Sequence, residues 1–284
     1  MSNLSNSQHL VEVADGVVAA INGDGSLGLA NSVAVVEGDA AVVVDATLLP
    51  RMAECVRAEL HRRGARAELV LNTHHHADHV GGNVAFPEAR LSSHPVTAEI
   101  VRRMVSHVGE MRRLMPAFAT ELAALGLRPP EPTALTEDLP RGGRVVCFTP
   151  AHSPADLAVW FPSERLLLAG DVCFNRVVPL GVHGLLSAWI EALDAVIALG
   201  PVTIVPGHGP VAGLAEVAAL REYLASVLAA AREVGAGNAS LLEALGSIDT
   251  SPVDGWVEPE RTGVNFRRAL QEVRGEIDAA NLLG

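Results

Sequence analysis

The most informative segment of this 284-residue chain is Thr73-His74-His75-His76-Ala77-Asp78-His79. It directly follows Ala67–Leu71, a short apolar run typical of a buried strand. Side chains two residues apart in an extended segment point to the same side, so His74 and His76 are expected to face one volume. His75 is expected to point the opposite way.

The side chains of this segment predict a metal site. Asp78 and His79 fall where the chain should turn into a helix, so they can aim at the same volume from another direction. Neutral imidazole and carboxylate are ligands that zinc and similar divalent metals accept. Four such groups within six residues are costly to bury without a cation. The alternative is a solvated polar loop that contains several histidines by chance.

Three later polar residues extend this pattern. His152, Asp171 and His208 each follow a strand-like run and are flanked by glycine or proline. In α/β folds the carboxyl ends of strands gather functional side chains, and a neighbouring glycine allows close approach to a ligand. Taken singly, each histidine also fits a hydrogen-bonded loop residue, and the aspartate fits a turn cap. Together they favour one shared site.

The strand and helix signals predict an α/β protein. Ser32–Glu37 and Ala40–Asp45 form a predicted hairpin around a Gly-Asp turn, and Arg51–Gly64 has the apolar spacing of a helix. Further expected strands are Arg144–Thr149, Asp156–Phe161, Leu166–Ala169 and Val202–Val205, and further expected helices are Ser187–Leu199, Leu214–Glu233 and Pro259–Leu283.

A methionine-rich insert interrupts this alternation. Pro95–Leu127 has helical periodicity, Pro116 should kink or divide it, and the proline-rich connector Arg128–Pro140 follows. We predict one domain over residues 1–284, with a helical insert at 95–130 and a C-terminal helical region at 211–284. The insert is expected either to cover an apolar substrate or simply to pack on the body.

The ordered motifs resemble the metallo-β-lactamase-fold hydrolase superfamily. Its His-x-His-x-Asp-His motif matches residues 74–79, and its later histidine, Gly-Asp and final histidine match His152, Gly170-Asp171 and His208. The resemblance extends from about Val17 to Pro210. It implies a four-layer αββα sandwich with the metal site at one edge between the sheets.

The resemblance also implies the metal ligands and their chemistry. His74, His76 and His152 would hold one metal, Asp78, His79 and His208 the second, and Asp171 would bridge. Two Zn²⁺ ions are expected, with iron or manganese as alternatives. Such a pair makes hydroxide available near neutral pH for attack on a carbonyl. Asp78 and Asp171 are both candidates for the catalytic carboxylate that relays a proton.

Differences from individual branches of this superfamily restrict the class of substrate that we expect. The Gly-Asp form is similar to ester, thioester and lactone hydrolases, so we predict a metal-dependent hydrolase of that class. A segment from Gly170 to Asp194 is similar to bacterial polyketide thioesterases and cyclases, which makes a zinc-dependent cyclase the alternative. A β-lactamase is less favoured, because one large subclass of these enzymes has a cysteine where this chain has Asp171. A non-catalytic metal-binding scaffold is also less favoured.

Several further residues are candidates for substrate binding. Arg176 and His183 lie on the segment after Asp171, and an arginine there can grip a carboxylate or form an ordinary surface ion pair. Candidate apolar contacts in the insert are Met104, Met111, Met115 and Phe118. The expected partner is a small-molecule or carrier-bound acyl substrate.

Composition excludes other classes of function. The chain has a net charge of −12 and contains no lysine, which argues against a nucleic-acid surface, a lysine Schiff base and a phosphate-loop lysine. The spacing of the three cysteines does not indicate a disulfide framework. We expect a cytoplasmic protein that does not associate with membranes, because Met1–Gln8 does not resemble a signal peptide and no apolar stretch is long enough to span a bilayer. The predicted helix Leu214–Glu233 fits either a homodimer interface or internal packing.

Overall fold

A computed structural model describes residues 8–132 and 139–283. Most of the predicted start Met1–Gln8, and residues 133–138 of the predicted connector, therefore lie outside the described residues. Within them, two β-sheets stack face to face, and helices cover both outer faces. The predicted αββα sandwich is confirmed.

The first sheet contains seven strands in chain order. Strands β1 to β4 are antiparallel, whereas β4 to β7 run parallel, so the carboxyl end of β5 opens onto the edge where the histidine-rich segment begins. The predicted hairpin is confirmed as β3 and β4. The strands are β1 (Gln8–Ala14), β2 (Val17–Asn22), β3 (Ser32–Glu37), β4 (Ala40–Val44), β5 (Arg66–Leu71), β6 (Arg90–Ser93) and β7 (Glu131–Pro132).

The second sheet has the order β11-β10-β9-β8. Its strands are β8 (Arg144–Phe148), β9 (Asp156–Phe161), β10 (Leu166–Phe174) and β11 (Thr203–His208). Apolar side chains of both sheets, including Ile21, Leu71, Leu157 and Leu168, form one core between them. Burying apolar surface from two facing sheets is what holds such layers together.

Helices pack on the two outer faces. The first sheet carries α1 (Pro50–Arg62), and nearby lie α2 (Ala77–Val80), α3 (Pro95–Met104) and α4 (Ala119–Ala124). The second sheet is covered by α5 (Leu186–Leu199), α6 (Leu214–Gly235), α7 (Leu241–Gly246) and α8 (Arg261–Val273). No helix in the described part of the chain is both long and apolar enough to cross a membrane.

Three predicted elements differ from the structure. The insert is α3 and α4 joined by short 3-10 helices at Val108–Arg113 and Pro116–Phe118, and α3 already ends at Met104, well before Pro116. The tail is helical only to Val273, since Gly275 takes a left-handed conformation with φ +68°. Strand β10 runs past the predicted Ala169, so Asp171 lies within it rather than after it.

Candidate metal centre

One edge of the sandwich brings the predicted polar residues together. Strand β5 ends two residues before Thr73, β8 ends shortly before His152, and β11 ends on His208. All seven predicted ligand side chains, four from the first half and three from the second, converge there. They are His74, His76, Asp78, His79, His152, Asp171 and His208.

The first group of ligand atoms comes from three histidines and one aspartate. Nδ1 of His76 lies 2.9 Å from Nε2 of His74 and 3.1 Å from Nε2 of His152. Oδ2 of Asp171 lies 3.2 Å from the same His152 nitrogen and 3.7 Å from that of His74. Four potential ligand atoms therefore surround one small volume.

The second group lies on the other side of Asp171. Its Oδ1 is 3.1 Å from Nε2 of His79 and 3.7 Å from Nε2 of His208. Oδ2 of Asp78 lies 3.4 Å from the same His208 nitrogen. The carboxylate of Asp171 thus presents one oxygen to each group, as a bridging ligand would.

Three of the histidines are held through Nδ1, the nitrogen that faces away from the site. His74 Nδ1 lies 3.0 Å from Thr73 Oγ1, and His208 Nδ1 lies 2.8 Å from the carbonyl oxygen of Gly25. His79 Nδ1 lies 2.8 Å from Asp45 Oδ2. Such outer contacts fix the tautomer and leave the inner nitrogen free to bind a metal.

His76 is held in the opposite sense, with Nδ1 facing inward. Its Nε2 lies 2.8 Å from Nδ1 of His183. His75 belongs to neither ligand group, and its Nε2 lies 3.3 Å from the same His183 nitrogen. His183 therefore supports the site from its rim, and its contact with a substrate stays a prediction.

Small residues permit the close packing of this site. A Cβ atom on Gly207 would lie 1.9 Å from Oδ1 of Asp171, and one on Gly209 would lie 1.7 Å from the carbonyl oxygen of Asn175. Gly170 has a φ of +51° and lies where β10 loses its regular register with β11. This irregularity lets Asp171 reach the site from within a strand.

The electrostatics of the site favour a cation. Burial lowers the pKa of His74 and of His76 well below the usual range, which keeps these imidazoles neutral. Burial also opposes charge on His79, but the carboxylates of Asp171 and Asp45 outweigh it and raise the pKa of His79 well above its usual value. Positive charge is thus stabilised beside Asp171.

Donor chemistry also fits a divalent metal. Nε2 of His79 and Oδ1 of Asp171 are buried, and neither has a hydrogen-bond partner among the described residues although they lie 3.1 Å apart. Two close ligand atoms without hydrogen-bond geometry are accommodated when both point at a cation. Imidazole and carboxylate donors suit zinc, iron and manganese.

An apolar cavity of about 210 Å³ adjoins the ligand atoms. Three of the candidate substrate contacts, Met111, Met115 and His183, line it. The remaining apolar lining consists of Leu27, Leu114, Phe174, Leu180 and Val182. The insert therefore does contribute to the pocket, through its 3-10 segment rather than through a long helix.

Three of the candidate substrate contacts do not reach this cavity. Met104 and Phe118 pack instead in a core beneath the insert with Leu48 and Leu122, because their side chains lie on its inner face. Arg176 is exposed, adopts a φ of +61° and is not part of the cavity lining. These three side chains do not line this cavity, and their contact with a substrate stays a prediction.

Two polar residues of the site were not predicted from sequence. Asp45 follows β4 directly and accepts hydrogen bonds from the backbone N–H and hydroxyl of Thr73 in addition to its contact with His79. Its position after a strand was the available signal. Arg261 lines the cavity from α8, far along the chain, and no local pattern marks it.

The Lactamase_B family model, described as the metallo-beta-lactamase superfamily, matches residues 25–208. This range is more than half of the chain and contains all seven candidate ligands. The chain belongs to the metallo-beta-lactamase superfamily. Among solved structures, the superfamily fold is found in the DIM-1 metallo-beta-lactamase, with a TM-score of 0.61 and 15% identity over 78% of this chain and 98% of that one.

Curated relatives include hydroxyacylglutathione hydrolases. The one from Methylococcus capsulatus is 27% identical over 79% of this chain and 81% of its own length. That of Synechococcus sp. strain JA-3-3Ab is 33% identical over 47% of this chain, and the match spans 44% of that relative, less than half of its length. The 2,4-dinitroanisole O-demethylase subunit alpha of Nocardioides sp. is 30% identical over 61% of this chain and 51% of its own.

Proposed function

We propose that this protein is a dinuclear metal-dependent hydrolase that cleaves an ester, thioester or lactone, with zinc as its metal. The observation that carries the proposal is the placement of Asp171, whose two carboxylate oxygens face two separate groups of ligand atoms. His74, His76 and His152 would hold one ion, and Asp78, His79 and His208 the other. Asp171 would join them.

When bound, two such ions act as Lewis acids and lower the pKa of water to about 7. The chain contributes the fixed positions of the ligands and a water-poor cavity beside them. Asp78 is the better placed of the two carboxylates to hold a proton during the reaction. It contacts one imidazole, whereas both oxygens of Asp171 are engaged with several.

Metal content and turnover test this proposal together. The loaded protein should contain about two zinc ions per chain and hydrolyse simple acyl thioesters. Asp171→Ala should remove metal and activity together. Asp78→Asn should lower kcat by about a hundredfold or more, in the range of a lost general acid or base. A protein that binds one ion, or that keeps full turnover as Asp171→Ala, would contradict it.

The comparisons support a hydrolase but leave the substrate open. A hydroxyacylglutathione is a charged thioester, whereas 2,4-dinitroanisole is an uncharged ether, so the relatives differ in substrate polarity. The likeness to the DIM-1 β-lactamase is a likeness of fold. The cyclase alternative stays a prediction, and mass analysis of products would distinguish water uptake from ring closure.

A further inference from the structure

The cavity beside the ligand atoms has an unusual balance of polarity for a site that would receive a glutathione thioester. Apart from the candidate ligands and His183, its described lining is apolar except for one charged side chain, that of Arg261. Glutathione carries two carboxylates and one ammonium group, and free cations strengthen the recognition of its carboxylates. The state of Arg261 therefore decides which substrates the cavity suits.

Arg261 is already engaged by the protein. It is buried with 6% exposure, forms an ion pair with Glu258 and donates a hydrogen bond of 2.9 Å from Nη1 to the carbonyl oxygen of Val178. Oε1 of Glu258 also accepts from the backbone N–H of Leu27 at 3.4 Å. The ion pair thus joins α8 to the loop that carries Leu27. The positive charge of Arg261 is neutralised by Glu258 within the cavity wall.

Neighbouring arginines do not add a charge to the cavity lining. Arg112 and Arg113 lie on the insert between Met111 and Leu114, yet neither lines the cavity, and both are exposed. Arg176 also lies outside the lining. With a net charge of −12, the molecule as a whole disfavours an approaching anion.

Leu114 adds an exposed apolar side chain to the lining of the cavity. Leu114 has 70% of its surface exposed, although it lies between Met111 and Met115, which line the interior. Methionine side chains adapt to irregular apolar shapes. The cavity of about 210 Å³ is large enough for a short alkyl group.

We propose that this cavity receives an uncharged, apolar group of the substrate next to its scissile carbonyl, and that it discriminates against thioesters of glutathione. This inference rests on the proposed hydrolase function and adds a substrate class to it. Burying an unpaired carboxylate among Leu27, Met115 and Val182 is costly, whereas burying an alkyl chain there is favourable.

Paired substrates test the discrimination directly. An acetyl group, which is too small to fill the cavity, is offered to the zinc-loaded protein as the thioester of N-acetylcysteamine, which is uncharged, and as the thioester of glutathione. We expect kcat/KM to be at least about tenfold higher for the uncharged thioester, the ratio expected when an anion lacks a partner. Equal values, or a preference for glutathione, would overturn the inference.

A variant that introduces a positive charge tests whether the cavity causes this substrate preference. Leu114→Arg should reduce or reverse this preference by offering a free cation in the cavity lining. Leu242→Arg is the matched control, because Leu242 is 81% exposed on α7 and does not line the cavity. If both variants keep the wild-type ratio, the cavity does not set the specificity.

Binding separates failure of this inference from failure of the proposed function. In non-hydrolysable analogues a CH₂ group separates sulfur from the carbonyl, and calorimetry gives their affinity without turnover. Tighter binding of the N-acetylcysteamine analogue supports the inference about the cavity even if neither thioester is cleaved. The absence of cleavage would contradict the proposed hydrolase function instead. Tighter binding of the glutathione analogue overturns the inference whatever the turnover.

Discussion

At the scale of single residues, the site depends on contacts that orient ligands without belonging to them. Each inward-facing nitrogen of His74, His76, His79 and His208 has a partner at the opposite side of its ring. The partner determines which nitrogen carries the proton and so which one is available to a metal. Changes to these partners should therefore appear first in metal affinity.

His183 provides the most accessible test of this argument. His183→Ala removes the acceptor for Nε2 of His76, and we expect roughly 10- to 100-fold weaker metal binding, measured by competition with a chromophoric chelator. His183→Asn supplies a side-chain oxygen in place of Nδ1 and should retain most of the affinity. Equal loss in the two variants would show that the ring matters through packing instead.

Gly207 tests the space around the central carboxylate. In Gly207→Ala the new Cβ would lie 1.9 Å from Oδ1 of Asp171, so the carboxylate must move away from His79 and His208. We expect a loss of at least about tenfold in affinity for the second equivalent of zinc, measured by calorimetric titration.

The matched control for this change is Gly213→Ala. Its Cβ would meet nothing closer than 3.6 Å, which is an ordinary contact, and it follows the same strand. The expected result for the control is unchanged zinc binding. If Gly207→Ala binds two equivalents of zinc as tightly as Gly213→Ala does, zinc binding does not depend on the present position of Asp171.

At the scale of elements, strands were more predictable than the insert. Alternating or continuous apolar runs fix β3, β4, β8 and β9 almost to the residue, because their burial is local in sequence. The insert shows helical periodicity, but Pro116 and the methionine-rich stretch before it form short 3-10 turns, whose shape depends on the core beneath. The spacing of apolar residues predicts which face of a segment is buried, but it does not predict how long the helix is.

The same reasoning explains which site residues were found. The seven candidate ligands lie in short motifs at the ends of strands or, for Asp171, within one, so their convergence follows from sheet geometry. Asp45 and Arg261 act through contacts with residues far away in the chain, such as His79 and Val178. Pairings of that kind depend on how elements pack, which one sequence does not display.

Helix α1 offers a prediction about pH at this scale. Glu59 is paired with Arg62 and Arg63, and these pairs lower its pKa from 4.5 to about 2. A lowered pKa in the folded state stabilises the protein above about pH 4.5, and the contribution is lost as the pH falls toward 2. Because Arg62 is exposed, we expect the contribution to be about 1 kcal/mol.

Denaturant unfolding of Glu59→Gln measures this contribution. The variant should lose about 1 kcal/mol of unfolding free energy near neutral pH, and the difference from wild type should shrink progressively below about pH 4.5. Glu54→Gln on the same helix is the control, since Glu54 is 57% exposed in its pair with Arg57. A deficit for Glu59→Gln that does not vary with pH would assign the effect to packing.

At the scale of the whole molecule, the candidate centre joins the two sheets. The segment 74–79 follows β5 of the first sheet, whereas His152, Asp171 and His208 belong to the second sheet or its loops. Bound ions would therefore connect the two halves of the sandwich across their open edge. Without them, the charge of Asp171 is balanced by His79 and His208, whose pKa values it raises, whereas burial lowers the pKa of His74.

Metal removal should consequently weaken the whole fold. Ligands that bind only the folded state stabilise it by about 4 kcal/mol at a thousandfold excess over Kd, which corresponds to roughly 10 °C in Tm for a chain of this size. We expect dialysis against a strong chelator to lower Tm by about that amount and zinc to restore it. Asp171→Asn, which weakens the junction between the two groups, should respond much less to either treatment. A wild-type Tm that is the same with and without zinc would mean that the sheets are held by their shared apolar core alone.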